Sequence, residues 1–178
     1  MKILLLGYMG SGKSVVAKQL SKALQYSFVD LDTAIVEDQN QSIAQLFKTK
    51  GELYFRSKER LVLDSLLEGS ENLVLALGGG TPCYGDLMQK LTHTPGVVTI
   101  YLGAEIDTLS NRLFSQMHTR PLISHISDKE VLSDFIRKHL FERNFYYQQA
   151  HYKIKVDQKP VQETVSYTHL RAHETKCY

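Results

Sequence analysis

The chain has 178 residues, a formal net charge of +2, 43% hydrophobic and 22% charged residues. That length leaves room for one hydrophobic core, and the composition excludes a largely disordered chain. The charge is too small and too mixed for a nucleic-acid surface, two cysteines make no disulfide framework, and no apolar run approaches a membrane span. The apolar start is cut short by Gly7 and Lys13, so it does not read as a signal peptide; a cytoplasmic protein is expected.

In chain order, Lys2–Leu6 is a short apolar run bounded by glycine and predicts a buried parallel strand. Val15, Val16, Leu20 and Leu24 recur at helical spacing behind a glycine-rich turn. Phe28-Val29 predicts a strand ending at Asp30. Ser42 reads as the N-cap of a helix through Ile43, Leu46 and Phe47 that Gly51 ends; a second helix runs from Leu53 to Leu67 and stops at Gly69. Leu73–Leu77 is strand-like and runs into Gly78-Gly79-Gly80. Met88 and Leu91 sit in a short helix, Val97–Leu102 in a buried strand, and Ile106, Leu109 and Leu113 in the next helix. Val131–Tyr147 is a longer helix, Tyr152–Val156 alternates as a last strand, and Val161–Val165 begins a final helix. Strand and helix alternate throughout, which predicts an α/β domain with a mostly parallel sheet.

Gly7-Tyr8-Met9-Gly10-Ser11-Gly12-Lys13-Ser14 matches G-x-x-x-x-G-K-[ST] between a strand and a helix, the context that gives this phosphate loop its meaning. Glycines turn consecutive backbone N–H groups toward phosphate oxygens, and the helix N-terminus adds the positive end of its dipole. Nucleotide binding, of ATP if the chain is a kinase, is therefore expected at Gly10, Ser11, Gly12, Lys13, Ser14 and Val15, with Lys13 reaching the β and γ phosphates and Ser14 offering a hydroxyl to Mg²⁺. There is no guanine-reading N/T-K-x-D loop, and neither later apolar strand ends in an acidic residue, as motor ATPases and transporters require. The carboxylates instead follow the second strand as Asp30-Leu31-Asp32, which suits a small kinase with one acid near the metal and one aimed at the acceptor. If strand geometry persists across them, the two point in opposite directions.

Phe55-Arg56-Ser57-Lys58-Glu59 places Arg56 and Glu59 three apart on one helix face, where they pair. A guanidinium held in that way can grip a substrate carboxylate with two parallel bonds. Gly78-Gly79-Gly80 lets backbone approach a small ligand, and Arg143, late in the long helix, can return to the same mouth. Taken alone, the ion pair is an ordinary solvated one, the triple glycine an ordinary turn, and Asp30 a helix cap. Their coincidence behind a phosphate loop is what counts.

With these motifs in hand, the sequence resembles the shikimate kinase family over about Lys2 to Asp157. The matching pieces are Gly7–Ser14, Asp30-Leu31-Asp32, Gly51-Glu52 with Phe55-Arg56-x-x-Glu59, Leu77-Gly78-Gly79-Gly80, Arg120-Pro121-Leu122-Ile123, and Arg143 with Tyr147. The resemblance implies a three-layer α/β/α P-loop kinase fold with a five-stranded parallel sheet and a mobile lid. It implies transfer of the ATP γ-phosphate to the 3-hydroxyl of shikimate, on the route to chorismate and the aromatic amino acids. By the same resemblance Asp32, Arg56, Gly79 and Arg143 contact shikimate, and Arg56 and Arg143 hold its carboxylate. Asp32 orients or deprotonates the attacking hydroxyl, Arg120 reaches the ATP phosphates from the lid, and Asp30 holds Mg²⁺ through water with Ser14 as direct ligand. Lys13, Asp32 and Arg120 are thus the expected catalytic residues, and a monomer is expected.

Alternatives are another small-molecule kinase of this fold, such as a gluconate kinase, or a non-catalytic nucleotide-binding relative. Phe145-Tyr146-Tyr147 departs from the Pro-Leu-Tyr common in the family. The expected kinase domain spans 1–163 with a lid at about 113–128, where His118 and His125 read as solvated. The segment 164–178 reads as a non-native tail: from Ser166 onward the helical period is lost and the sequence resembles adapter read-through. His169 and His173 stand four apart there, without a third metal ligand in place.

Overall fold

The central strand, β1 (Lys2–Leu6), sends successive side chains to opposite faces of the sheet, and every position is buried. Leu4 and Leu6 join one core, Ile3 and Leu5 another, which is why the run is apolar rather than alternating. This and the following description come from a computed structural model that describes residues 1–117, 120, 122–157 and 159–174, with side chains to 169. β1 pairs in parallel with β3 (Leu73–Ala76) and β4 (Val97–Gly103). β2 (Ser27–Asp30) lies outside β3 and β5 (Tyr152–Lys155) outside β4, giving the order β2-β3-β1-β4-β5 with every pairing parallel.

Helices cover both faces, as a parallel sheet requires. On one side α1 (Lys13–Leu24) and α7 (Val161–Glu174) pack against each other and bury Val16, Ala17 and Leu20 against Leu5, Ile100 and Leu102. On the other lie α2 (Leu31–Gln39), α3 (Ile43–Glu68), α4 (Leu87–His93) and α6 (Lys129–Tyr147). The expected three layers are present. A third core joins Leu109 and Leu113 of α5 (Ile106–Phe114) to Leu132 and Ile136 of α6, and encloses Met117, Ile123 and Ile126 from the segment between them.

Local codes set several helix ends. Ser42 and Gln45 form a capping box at α3, and Asp128 accepts from the Glu130 and Val131 N–H groups at 2.7 and 3.0 Å to start α6. The break expected at Gly51 is there as a kink inside α3, with φ 82° and ψ 173°, a conformation that a side chain opposes. Two expectations change. β2 ends at Asp30 and α2 begins at Leu31, so Asp32 lies in the first turn of a helix and strand alternation does not set its direction. α7 also does not fade after Val165: it runs to Glu174, with Thr164 and Thr168 buried and the Thr168 hydroxyl donating to the Thr164 carbonyl. Among the described residues no helix is long and apolar enough to cross a membrane.

Candidate active site

The carboxyl ends of β1, β2 and β3 open onto a cavity of about 500 Å³, the position where ligands bind in open α/β sheets. The phosphate loop forms its floor. Gly12 stands at the N-terminus of α1 in a left-handed conformation, so the loop's backbone curls into the first helical turn. Lys13 folds back over the loop and its Nζ donates to the Gly7 and Tyr8 carbonyls at 2.9 and 3.0 Å. Burial pushes the Lys13 pKa down to about 8, partly offset by the nearby Asp32 and Asp30 carboxylates.

The Ser14 hydroxyl donates to Asp30 Oδ2 at 2.6 Å, which sets the two expected metal-side groups together. Asp30 Oδ1 also accepts from the Asp32 N–H at 3.2 Å and caps α2. The modest role open to Asp30 from sequence, a helix cap, thus holds alongside its place at the cavity. Asp32 lies at the mouth, open to the cleft. Its pKa is raised to about 6, first by desolvation and then by the Asp30 and Glu59 carboxylates, against the lowering pull of Lys13 and Arg56.

The expected acceptor side is built around the glycine turn after β3. Arg56 Nη1 pairs with Glu59 Oε2 at 2.9 Å, as the spacing predicted, and Glu59 is almost fully buried. The other Glu59 oxygen accepts from Thr81 Oγ1 at 2.7 Å, so the carboxylate that orients Arg56 is itself fixed. The Arg56 guanidinium stacks 4.7 Å from the Tyr84 ring centroid, and its buried Nε has no acceptor among the described residues. A Cβ on Gly80 would stand 3.1 Å from Arg56 Nη2, so a side chain there would displace the guanidinium. Next to it, a Cβ on Gly79 would come within 3.7 Å of Arg143 Nη1, and the buried Tyr147 hydroxyl donates to the Gly79 carbonyl. The two arginines, far apart in the chain, therefore flank one turn. They lie beside the cavity rather than in its lining.

Arg120 does line the cavity, its guanidinium held by Gln116 Oε1 at 3.0 and 3.4 Å, and Val15 lines it as well, half exposed. His125 is exposed as expected; His118 and Pro121, on which the lid expectation also drew, lie outside the described residues, as do His173's side chain and Cys177. Sequence reasoning missed Arg112, whose Nη1 donates to the Gly10 carbonyl at 3.1 Å, and the far wall of Val156, Lys159, Val161 and Thr164. A signal existed for two of them. Arg112 is the basic residue in the last turn of α5, and Lys159 follows β5 at the same carboxyl edge of the sheet as the loop.

Comparison with known proteins bears on this geometry. The family model described as shikimate kinase matches residues 9–172. The shikimate kinase of Flavobacterium johnsoniae is 48% identical over 164 residues, 92% of this chain and 94% of that protein. The crystal structure of shikimate kinase from Bacteroides thetaiotaomicron superposes with a TM-score of 0.87 at 32% identity, covering 100% of this chain and 99% of the other. That of Acinetobacter baumannii shikimate kinase in complex with shikimate gives 0.86 at 27% identity over 99% and 95%. With phosphate loop and carboxylates in one cleft and two arginines beside it, the chain belongs to the shikimate kinase family.

Proposed function

We propose that this cleft transfers the γ-phosphoryl group of ATP to the 3-hydroxyl of shikimate, with the residues above in distinct roles. The activity follows from the family; the division of labour is the proposal. The observation that carries it is the position of Asp32, whose carboxylate feels both Lys13 on the phosphate side and Arg56 on the acceptor side. An acid with a pKa near 6 between those two charges can hold the attacking hydroxyl and take its proton. Arg56 and Arg143 hold the acceptor's carboxylate. The Arg56 Nε–H, without an acceptor among the described residues, supports this, because a buried unmatched donor costs free energy that a ligand oxygen would recover.

Gly10 to Val15 cradle the phosphates. Lys13 swings from the loop carbonyls to the β and γ oxygens, and Arg120 adds charge there as the lid closes and excludes water. The donor set fits Mg²⁺: Ser14 and Asp30 supply hard oxygens, and no cluster of three or more His, Cys, Asp or Glu exists among the described residues to make an all-protein cage. Ser14 directly and Asp30 through water would hold the ion, which offsets charge on the transferred phosphate. Arg112 and Lys159 take the nucleoside end. The same reading keeps a cytoplasmic monomer with one kinase domain over 1–163, a lid at about 113–128, and 164–178 outside catalysis.

The test is ADP release measured with shikimate, with gluconate and without acceptor. Turnover with shikimate alone is expected. Comparable turnover with gluconate, or none with shikimate, would remove the acceptor assignment.

A further inference from the structure

We propose that Tyr8 is a positioning residue for Arg143, with His139 fixing the Tyr8 ring, so that one residue of the phosphate loop also sets the acceptor-side guanidinium. The proposal rests on the assignment of Arg143 to the acceptor carboxylate.

Tyr8 occupies a position that the phosphate-loop pattern leaves open to any residue, yet only 1% of it is exposed. A buried phenol needs a partner for its hydroxyl. It finds one in His139 Nδ1, at 3.2 Å. His139 lies one turn before Arg143 on α6, so the two side chains share a face. The Arg143 guanidinium sits over the Tyr8 ring, 5.5 Å from its centroid, within the range of a cation–ring attraction. His139 is in turn packed against Phe135, ring centroids 4.2 Å apart, one turn further back. The ring of Tyr8 is thus held at its hydroxyl by one residue of α6 and presents its face to another.

The backbone of the same residue faces the other substrate. The Tyr8 carbonyl accepts from Lys13 Nζ at 3.0 Å. Tyr8 therefore touches the lysine of the phosphate side through its main chain and the arginine of the acceptor side through its ring. A guanidinium already held in place loses less freedom when it takes a carboxylate, so the contact favours acceptor binding by preorganisation.

The experiment compares Tyr8→Leu, Tyr8→Phe, His139→Ala and the Tyr8→Phe/His139→Ala double variant, each alone and in an Arg143→Ala background, with the KM for shikimate and for ATP measured separately. Tyr8→Leu removes the ring and should raise the shikimate KM about tenfold, the loss expected of a partly desolvated cation–ring contact, against a change below about twofold in the ATP KM. Tyr8→Phe keeps the ring but frees it from His139, and both it and His139→Ala should raise the shikimate KM about threefold, without adding to each other. In the Arg143→Ala background all these shifts should vanish. Shifts that persist there, or that fall equally on ATP, would show Tyr8 to be a packing residue of the loop and overturn the proposal. If Tyr8→Leu fails to fold, Tyr8→Phe and His139→Ala decide: an unchanged shikimate KM in both overturns it. An unchanged shikimate KM in Arg143→Ala itself would overturn the acceptor assignment of Arg143, and the proposal with it, without involving Tyr8.

Discussion

Lys13 carries its charge against its surroundings, since burial has brought its pKa down to about 8. A cation depressed in this way adds stability to the folded protein only at high pH and loses it as pH falls through about 8; arriving phosphates reverse the balance. Asp32 has the opposite arrangement, a carboxyl raised from 3.8 to about 6. The kcat/KM profile should therefore show an acid limb near 6, where Asp32 must be ionised, and an alkaline limb near 8, where Lys13 must stay protonated. For Asp32 the raised value means a stabilising contribution that is full below about pH 3.8 and gone as pH rises through about 6. Asp32→Asn should accordingly melt higher than the parent at pH 7, with the gap closing by pH 4, while its acid limb disappears. An acid limb retained in Asp32→Asn would assign that proton elsewhere. With Arg56 on the acceptor's carboxylate as proposed, Arg56→Ala should weaken shikimate binding by about 2–4 kcal/mol, because the desolvated ligand carboxylate is left without its partner. Arg56→Lys should recover little of this, since an ammonium lacks the two-pronged geometry. Separate titrations of shikimate and ATP decide it, and equal losses for both would contradict the assignment.

At the scale of elements, two features stand out: the kink in α3 and the packed anchors of the segment between α5 and α6. Gly51 holds φ at 82°, and nothing crowds the position where a Cβ would be, so the cost of a side chain there is conformational. Gly51→Ala should cost about 1–3 kcal/mol, read as a lower melting temperature, with the rest of α3 keeping its helical signal. The segment after α5 is not a loose loop: Met117, Ile123 and Ile126 anchor it in the third core, leaving Arg120 to act from a base that is itself packed. Arg120→Ala should lower kcat while moving the shikimate KM little, if Arg120 meets the phosphates on lid closure as proposed. A change confined to the shikimate KM would place Arg120 in the acceptor pocket.

For the whole molecule, the question is what the last helix contributes. Val161 and Val165 pack on the second core with α1, and Thr168 is fully buried one turn on. Truncation after Val165 should lower the melting temperature by a few degrees, for a loss of about 1–2 kcal/mol of packing, and leave both KM values unchanged. Loss of activity at a temperature where the truncated chain is still folded would bring the tail into the catalytic unit.

The sequence by itself determined whatever depends on neighbours along the chain. The phosphate loop, the Ser42 N-cap, the break at Gly51, the Arg56–Glu59 pair and the five strands are all written in spacings of a few residues, and each formed near its expected place. Asp32 shows the limit of that code, because a strand end and a helix start look alike when an aspartate caps the helix. So does the tail, where helix persists because α1 offers a surface to pack on rather than because the sequence repeats. Only the tertiary structure decided that Arg143 meets Gly79, that Tyr8 lies beneath Arg143 and against His139, and that Arg112 and Lys159 line the same cavity as the phosphate loop. Those contacts join segments that no local period links. They exist because the strand order β2-β3-β1-β4-β5 brings three carboxyl ends to one edge, and because burial of the α6 face against the sheet and the phosphate loop fixes where its polar side chains emerge.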